Sequence, residues 1–258
     1  MASSETGQLI QAVNRLTQTV QDKIADIDRK VDSVANDIRA NTGLTQKQVF
    51  YVDAEAGDDS ATGSAQRPFQ TVKKALRSAH SGAVCTIRLQ RNQRHVVTGE
   101  TSVFANQLDI VPWTKNQDMS LDYHYDASTP VLDMQGEIYL FGSIRIGGNK
   151  QSIVIEANGK DFNDLARFNF YAGGSFTLAR SRMILNFPHD KAVLLGGPHI
   201  HTCSNKVSLN QADIQINKGY LSNPAHLVVR SSTGFEYVED LILGANKDNT
   251  LSNVPFKS

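Results

Sequence analysis

The chain has 258 residues, 40% of them apolar and 20% charged, and its 26 basic residues balance 26 acidic ones to a formal net charge of zero. That balance gives no electrostatic hold on nucleic acid or on an anionic membrane surface, and no apolar run is long enough to span a bilayer. The two cysteines, Cys85 and Cys203, are too few for a disulfide framework and lack the paired spacing of a zinc site, so both read as small buried thiols.

Residues 1–8 form a short leading peptide, in which Met1 to Glu5 lack the basic-then-apolar pattern of a secretory signal. From there apolar residues fall at Leu9, Val13, Leu16, Val20, Ile24, Ile27, Val31, Val34 and Ile38, in steps of three and four. This is a heptad seam with one stutter at Val20, where two steps of four adjoin. Polar residues fill the intervals, and Gly43 supplies a helix stop. The stripe is too narrow for the face of a globular-core helix. The pattern therefore predicts a coiled-coil stalk over residues 9–42, roughly 50 Å long at about 1.5 Å per residue. β-Branched residues fill the seam from Ile24 onward, which favours three or more strands, and no second helix of matching length is available for an intramolecular hairpin.

Residues 43–80 read as a linker, a short strand at Phe50 to Asp53, a loop rich in Gly, Asp and Ser, and a short helix. Phe69, Val72, Leu76 and Ala79 lie on one face of that helix, which suits a plug over the end of a stack of strands. The residues Tyr51-Val52-Asp53, Gly57-Asp58-Asp59-Ser60, Gly63 and Pro68-Phe69, followed by Thr71-Val72 and Ala75-Leu76, resemble the opening motif of pectate-lyase-like β-helix proteins. That motif recurs in phage tail spikes and tail fibres. The start Met1-Ala2-Ser3-Ser4-Glu5-Thr6 is likewise similar to the short coiled-coil starts of phage fibre subunits. The resemblance implies a right-handed parallel β-helix, a fold that hosts lyases, hydrolases and inert fibres alike.

Over residues 81–245, strand-like runs, mostly of three to five residues, alternate with Gly-Gly, Asn-Gly and Lys-Gly corners, from Val84 to Leu89 through to Leu241 to Leu243. A β-sandwich competes. Short strands and corners without clear hairpin pairing favour a mainly β body, a parallel β-helix of about seven coils. Residues 246–258 lack periodicity and read as a tail packed on the body or on a neighbouring subunit.

The loop from Asp118 to Asp133 is the leading site candidate. Asp118, Asp122 and Asp126 interleave with Tyr123, His124 and Tyr125, a set able to hold sugar by carboxylate–hydroxyl bonds and aromatic faces; the alternative is an ordinary solvated loop. Glycan cleavage needs two acids about 5 to 9.5 Å apart, and no such pair stands out. Glu156 with Asp161 and Asp164, and Glu236 with Glu239 and Asp240, form further acidic loops. His199 and His201 lie on one face of a strand, and three copies of that pair would supply six imidazoles to a metal ion. Asp53, Asp58 and Asp59 suit either calcium or, with better fit, turn formation.

These features lead to the expectation of a structural virion protein: a homotrimeric tail fibre or spike subunit, made in the host cytoplasm, with no cofactor. Its partners would be other virion tail or capsid proteins, held through the N-terminus, and host-surface polysaccharide, with neither nucleic acid nor membrane insertion. A glycan-cleaving tailspike and a purely architectural collar or head appendage are the alternatives.

Overall fold

A computed structural model describes residues 11, 14–24, 26–27, 29–31, 47–115, 125–148, 151–158, 167–171, 174–196, 206–223 and 225–257. The chain divides into two compact units, Met1–Thr45 and Gln46–Ser258.

In the first unit every described residue is helical between 11 and 31. Polar side chains pair along the helix: Gln18 donates to Asp22 at 3.0 Å, and Asp26 meets Lys30 at 3.2 Å. The described seam residues Leu16, Val20, Ile24, Ile27 and Val31 are all 48% to 65% exposed. Leu9, Val13, Val34 and Ile38 lie outside the described residues.

The second unit opens with β1 (Lys47–Val52) and α1 (Val72–Ser78). The chain then makes repeated circuits: β2 (Val84–Gln90), β3 (Arg94–Val97), β4 (Glu100–Val103); β5 (Gln107–Trp113), β6 (Val131–Met134), β7 (Glu137–Leu140); β8 (Ser143–Gly147), β9 (Val154–Asn158), β10 (Phe168–Phe170). Two further circuits are β11 (Ser175–Ala179), β12 (Arg182–Asn186), β13 (Val193–Gly196) and β14 (Lys206–Asn210), β15 (Asp213–Lys218), β16 (Tyr220–Ser222). A last circuit has β17 (His226–Arg230) and single bridges at Thr233 and Ile242, before β18 (Leu251–Ser252). Successive strands of a circuit belong to three different sheets, so pairing is between circuits. Sheet 1 runs β1-β2-β5-β8-β11-β14-β17-β18, sheet 2 runs β3-β6-β9-β12-β15, and sheet 3 runs β4-β7-β10-β13-β16. All their strand pairs are parallel.

Parallel register stacks like upon like. In sheet 1, Cys85, Leu108, Ile144, Phe176, Val207 and Leu227 form one column, none more than 1% exposed. His95, Leu132, Ile155, Met183 and Ile214 form another in sheet 2, and Thr101, Ile138, Phe168 and Leu195 a third in sheet 3. These columns meet in one continuous core. Each fully buried Leu, Ile or Phe contributes about 1.5–3 kcal/mol. Burial and the nearby Asp109 push the Cys85 thiol up to about 12, so it packs as an inert apolar group. The circuits differ in length: Lys206 pairs with His226, 20 residues on, whereas Arg94 pairs with Val131, 37 residues on.

The corner from sheet 1 to sheet 2 is held by left-handed residues. Arg180, Gln211 and Ser231, at φ 48°, 52° and 49°, directly follow β11, β14 and β17. Each corner bonds the next: Arg180 N–H to the Asn210 carbonyl at 2.9 Å, Gln211 N–H to that of Arg230 at 2.7 Å.

Both ends of the core are covered. α1 packs on β1, β2, β3 and β4 and buries Val72, Ala75 and Leu76. The Asp59 carboxylate fixes its start, accepting from the backbone N–H of Gln70 (3.0 Å) and Thr71 (2.9 Å) and from the Thr71 hydroxyl (2.7 Å). Thr71 in turn caps the helix through Lys74 N–H. Asp53 accepts from Glu55 and Ala56 N–H, and Asp58 from Ser60 N–H, so these acids form turns. At the far end the strand expected over Leu241 to Leu243 is instead a turn with one bridge, Ile242 to Ser222, directly after a 3-10 turn at Val238–Asp240. There Val238, Leu241 and Ile242 close the core as a plug. The tail packs on the body: Asn253 bonds both the N–H and the carbonyl of Val229, and Val238 N–H bonds the Pro255 carbonyl.

Candidate functional site

The outer face of sheet 2 carries an extended polar network spread over several circuits. Alternation in a strand sends every second side chain outward, and parallel register sets those side chains in rows across the circuits. One row runs Val96, Asp133, Glu156, Ile184, Gln215; the next runs Arg94, Val131, Val154, Arg182, Asp213. One nitrogen of Arg94 donates to Glu156 at 2.7 Å and to Asp133 at 3.1 Å. Hydrogen bonding to Glu156 first, then to Asp133, holds the guanidinium above its ordinary range. Gln135 donates to the same Asp133 oxygen at 2.9 Å, and Asn158 donates to Glu156 at 3.2 Å. Asp133 is 4% exposed, and its Oδ1 is buried without a hydrogen-bond partner.

Two circuits on, Arg182 donates to the Tyr125 hydroxyl (3.1 Å) and to Gln215 Oε1 (2.9 Å), and pairs with Asp213 at 3.3 Å. Its guanidinium also lies over the Tyr125 ring, 5.9 Å from the centroid. Gln215 passes the chain on to Asn217 at 3.1 Å. The arrangement offers carboxylates, guanidiniums, amides and one half-exposed aromatic ring along a line. Such a set exchanges hydrogen bonds with a hydroxyl-rich ligand.

No protein-family model, curated protein or solved structure matches this chain.

Of the residues singled out in the sequence, Tyr125 joins this face and is 52% exposed. Asp126 does not. Its carboxylate is taken by Ser128 (N–H and hydroxyl, both 2.8 Å) and by Arg91 at 2.6 Å. Those bonds, Ser128 first, hold it below the usual carboxylate range, so it anchors the end of the loop. Asp118, Asp122, Tyr123 and His124 lie outside the described residues, as do the metal candidates His199 and His201. Among the described residues no three His, Cys, Asp or Glu side chains converge on a metal position. Trp113 is packing: it is 2% exposed, donates to the Val52 carbonyl at 3.3 Å and meets Tyr51 edge-on. The exposed rings of Phe104, Phe141 and Tyr171 stack in succession at 4.5 and 5.2 Å, so both faces of the middle ring are covered by its neighbours.

Arg94, Arg182, Asp213 and Gln215 were not singled out in the sequence. No short-range motif joins them; only the alternation within β3, β12 and β15 marks them as outward-facing. The pair Asp133–Glu156, one acid from each of two predicted loops, forms only once the register is known.

Proposed function

We propose that this chain is a self-trimerising virion fibre or spike subunit whose body, a right-handed parallel β-helix, adsorbs to surface polysaccharide. The observation that carries it is the exposed seam: five apolar residues at heptad spacing, each about half exposed or more on a single chain. Three copies meeting along that stripe bury it, and β-branched seam residues favour that number. The three-sheet circuits with end plugs fit a β-helix, and parallel crossovers are right-handed almost without exception. The opening motif whose resemblance pointed to this fold has a mechanical role here, since Asp59 and Thr71 set the plug helix. The N-terminal peptide would hold the other virion proteins, and the polar face of sheet 2 would meet the glycan. Trimerisation then makes three weak sites act together.

Cleavage is the second reading, with Asp133 and Glu156 as the acids. One guanidinium nitrogen binds an oxygen of each, which holds those oxygens closer than the roughly 6.5–9.5 Å that leaves room for an attacking water, and its single charge is shared between the two carboxylates. That favours holding sugar over passing it a proton. Sedimentation equilibrium of the purified chain tests the reading: three chain masses are expected, and a compact monomer overturns it. Antibody labelling of particles then separates a tail fibre from a collar or head appendage.

A further inference from the structure

At the corner from sheet 2 to sheet 3, a cleft of about 440 Å³ opens between β15, β16 and the C-terminal plug. Its walls carry Asp190, Asn217, Lys218, Tyr220, Asp240 and Lys257. That size suits a small organic ligand. It lies at the end of the stack away from β1, where the chain enters the body. Asn217 is also the last member of the hydrogen-bonded line that runs through Arg182 and Gln215.

We propose that this cleft is a binding site for an uncharged saccharide unit, the terminal subsite of the polar track on sheet 2. The charges decide the ligand class. Each lysine in the wall already has an acid: Lys218 lies 3.5 Å from Asp190 and Lys257 2.7 Å from Asp240. Glu239, also in the wall, accepts from the Lys257 backbone N–H at 3.1 Å. Three carboxylates against two lysines leave no surplus positive charge for a phosphate, sulfate or uronate. What remains is carboxylate lone pairs, the Asn217 amide, ammonium donors and the Tyr220 ring. Vicinal hydroxyls satisfy the first three and the apolar face of a pyranose covers the ring.

The inference rests on the adsorption reading for its biological sense, and its test stands apart from it. Amide NMR of the full-length chain is recorded with glucose, galactose, mannose and N-acetylglucosamine, each at tens of millimolar, and with inorganic phosphate and sulfate as charged probes. At least one neutral sugar is expected to shift the Gly219 and Gly234 amides saturably, with less than a twofold change in affinity between low and high salt. Asn217→Ala and Asp190→Ala are expected to weaken that binding tenfold or more. Asp190 has an 88% exposed side chain, so its loss leaves the fold intact. No shift with any sugar, equal shifts in the variants, or shifts with phosphate or sulfate alone would overturn the assignment. Sedimentation of the same sample keeps the readings apart. A trimer that binds no sugar sinks the cleft alone, and a monomer that binds sugar sinks the fibre reading alone.

Discussion

His95 is a polar residue in an apolar column, 2% exposed and stacked on Leu132. One ring nitrogen bonds the Gln90 carbonyl at 2.9 Å and the other, Nδ1, has no partner. Burial pulls its pKa below the ordinary value, although the Gln90 bond and Asp53 oppose that. The folded state therefore refuses a proton that the unfolded chain accepts near pH 6.5. Stability from this group is complete above about pH 6.5 and is lost as pH falls toward the lowered folded value. Asp53 adds a second acid-labile step lower down. Burial raises its pKa, but the bonds from Ala56, Gln93 and Glu55 outweigh that and hold it below the usual value. Its contribution is present above about pH 4 and lost as pH falls through its folded value. Urea midpoints measured from pH 7.5 to 5 are expected to fall in the native chain and to fall less in His95→Gln; parallel curves would show that His95 does not titrate with unfolding. A second position, Gly63, explains part of the opening motif. It sits at φ 74°, and an added Cβ would lie 2.3 Å from the Phe69 ring. Gly63→Ala is expected to lose about 1–3 kcal/mol in the same measurement.

At the scale of elements, the sheet 2 face is a coupled unit. Arg94 binds two acids from two later circuits, so removing it leaves neighbouring carboxylates without their cation. Its side chain is 47% exposed, which tempers the cost. Arg94→Met is expected to destabilise by about 1–2 kcal/mol, and adding Glu156→Gln to restore part of it, giving a non-additive cycle. Additive losses in thermal or urea melts would mean that the bridge is energetically idle. This face also marks where sequence legibility ends. Alternation in Val207 to Leu209 and Ile214 to Ile216 identifies strands and their inward side without knowledge of the fold. So does the turn chemistry of Asp53 and Asp58. The site depends on which residues share a row, and that depends on circuit length. Loops of unequal length sit between the sheets, so Arg94 reaches Val131 while Lys206 reaches His226 across a much shorter stretch. No fixed sequence period survives such insertions. Leu241 to Leu243 misleads for a related reason: an apolar triplet serves a plug as well as a strand, and burial alone does not separate them.

At the scale of the molecule, the stripe from Leu16 to Val31 is the feature that a single chain leaves unsatisfied. Polar residues between its apolar ones pair within the helix, Asp26 with Arg29 and Lys30 and Gln18 with Asp22, and the rest of that side faces water, which the apolar side cannot do without cost. In the proposed trimer, burying half-exposed Ile and Val stems in three chains at once would contribute about 25 cal/mol for each Å² removed from water, summed over the seam layers. One polar side chain at a single layer costs stability and alters the number of strands; two adjacent layers remove most of the gain. If the chain trimerises as proposed, Ile24→Asn with Ile27→Asn is therefore expected to leave it a monomer at micromolar concentration. The far-ultraviolet signal of the body should be nearly unchanged, because its core is complete within Gln46–Ser258. On the proposed adsorption role, binding to a dense polysaccharide surface should drop by a hundredfold or more when three linked sites become one, while affinity for a free monosaccharide stays the same. Equal loss in both binding assays would show that the seam acts through the fold of the body instead of through the number of copies.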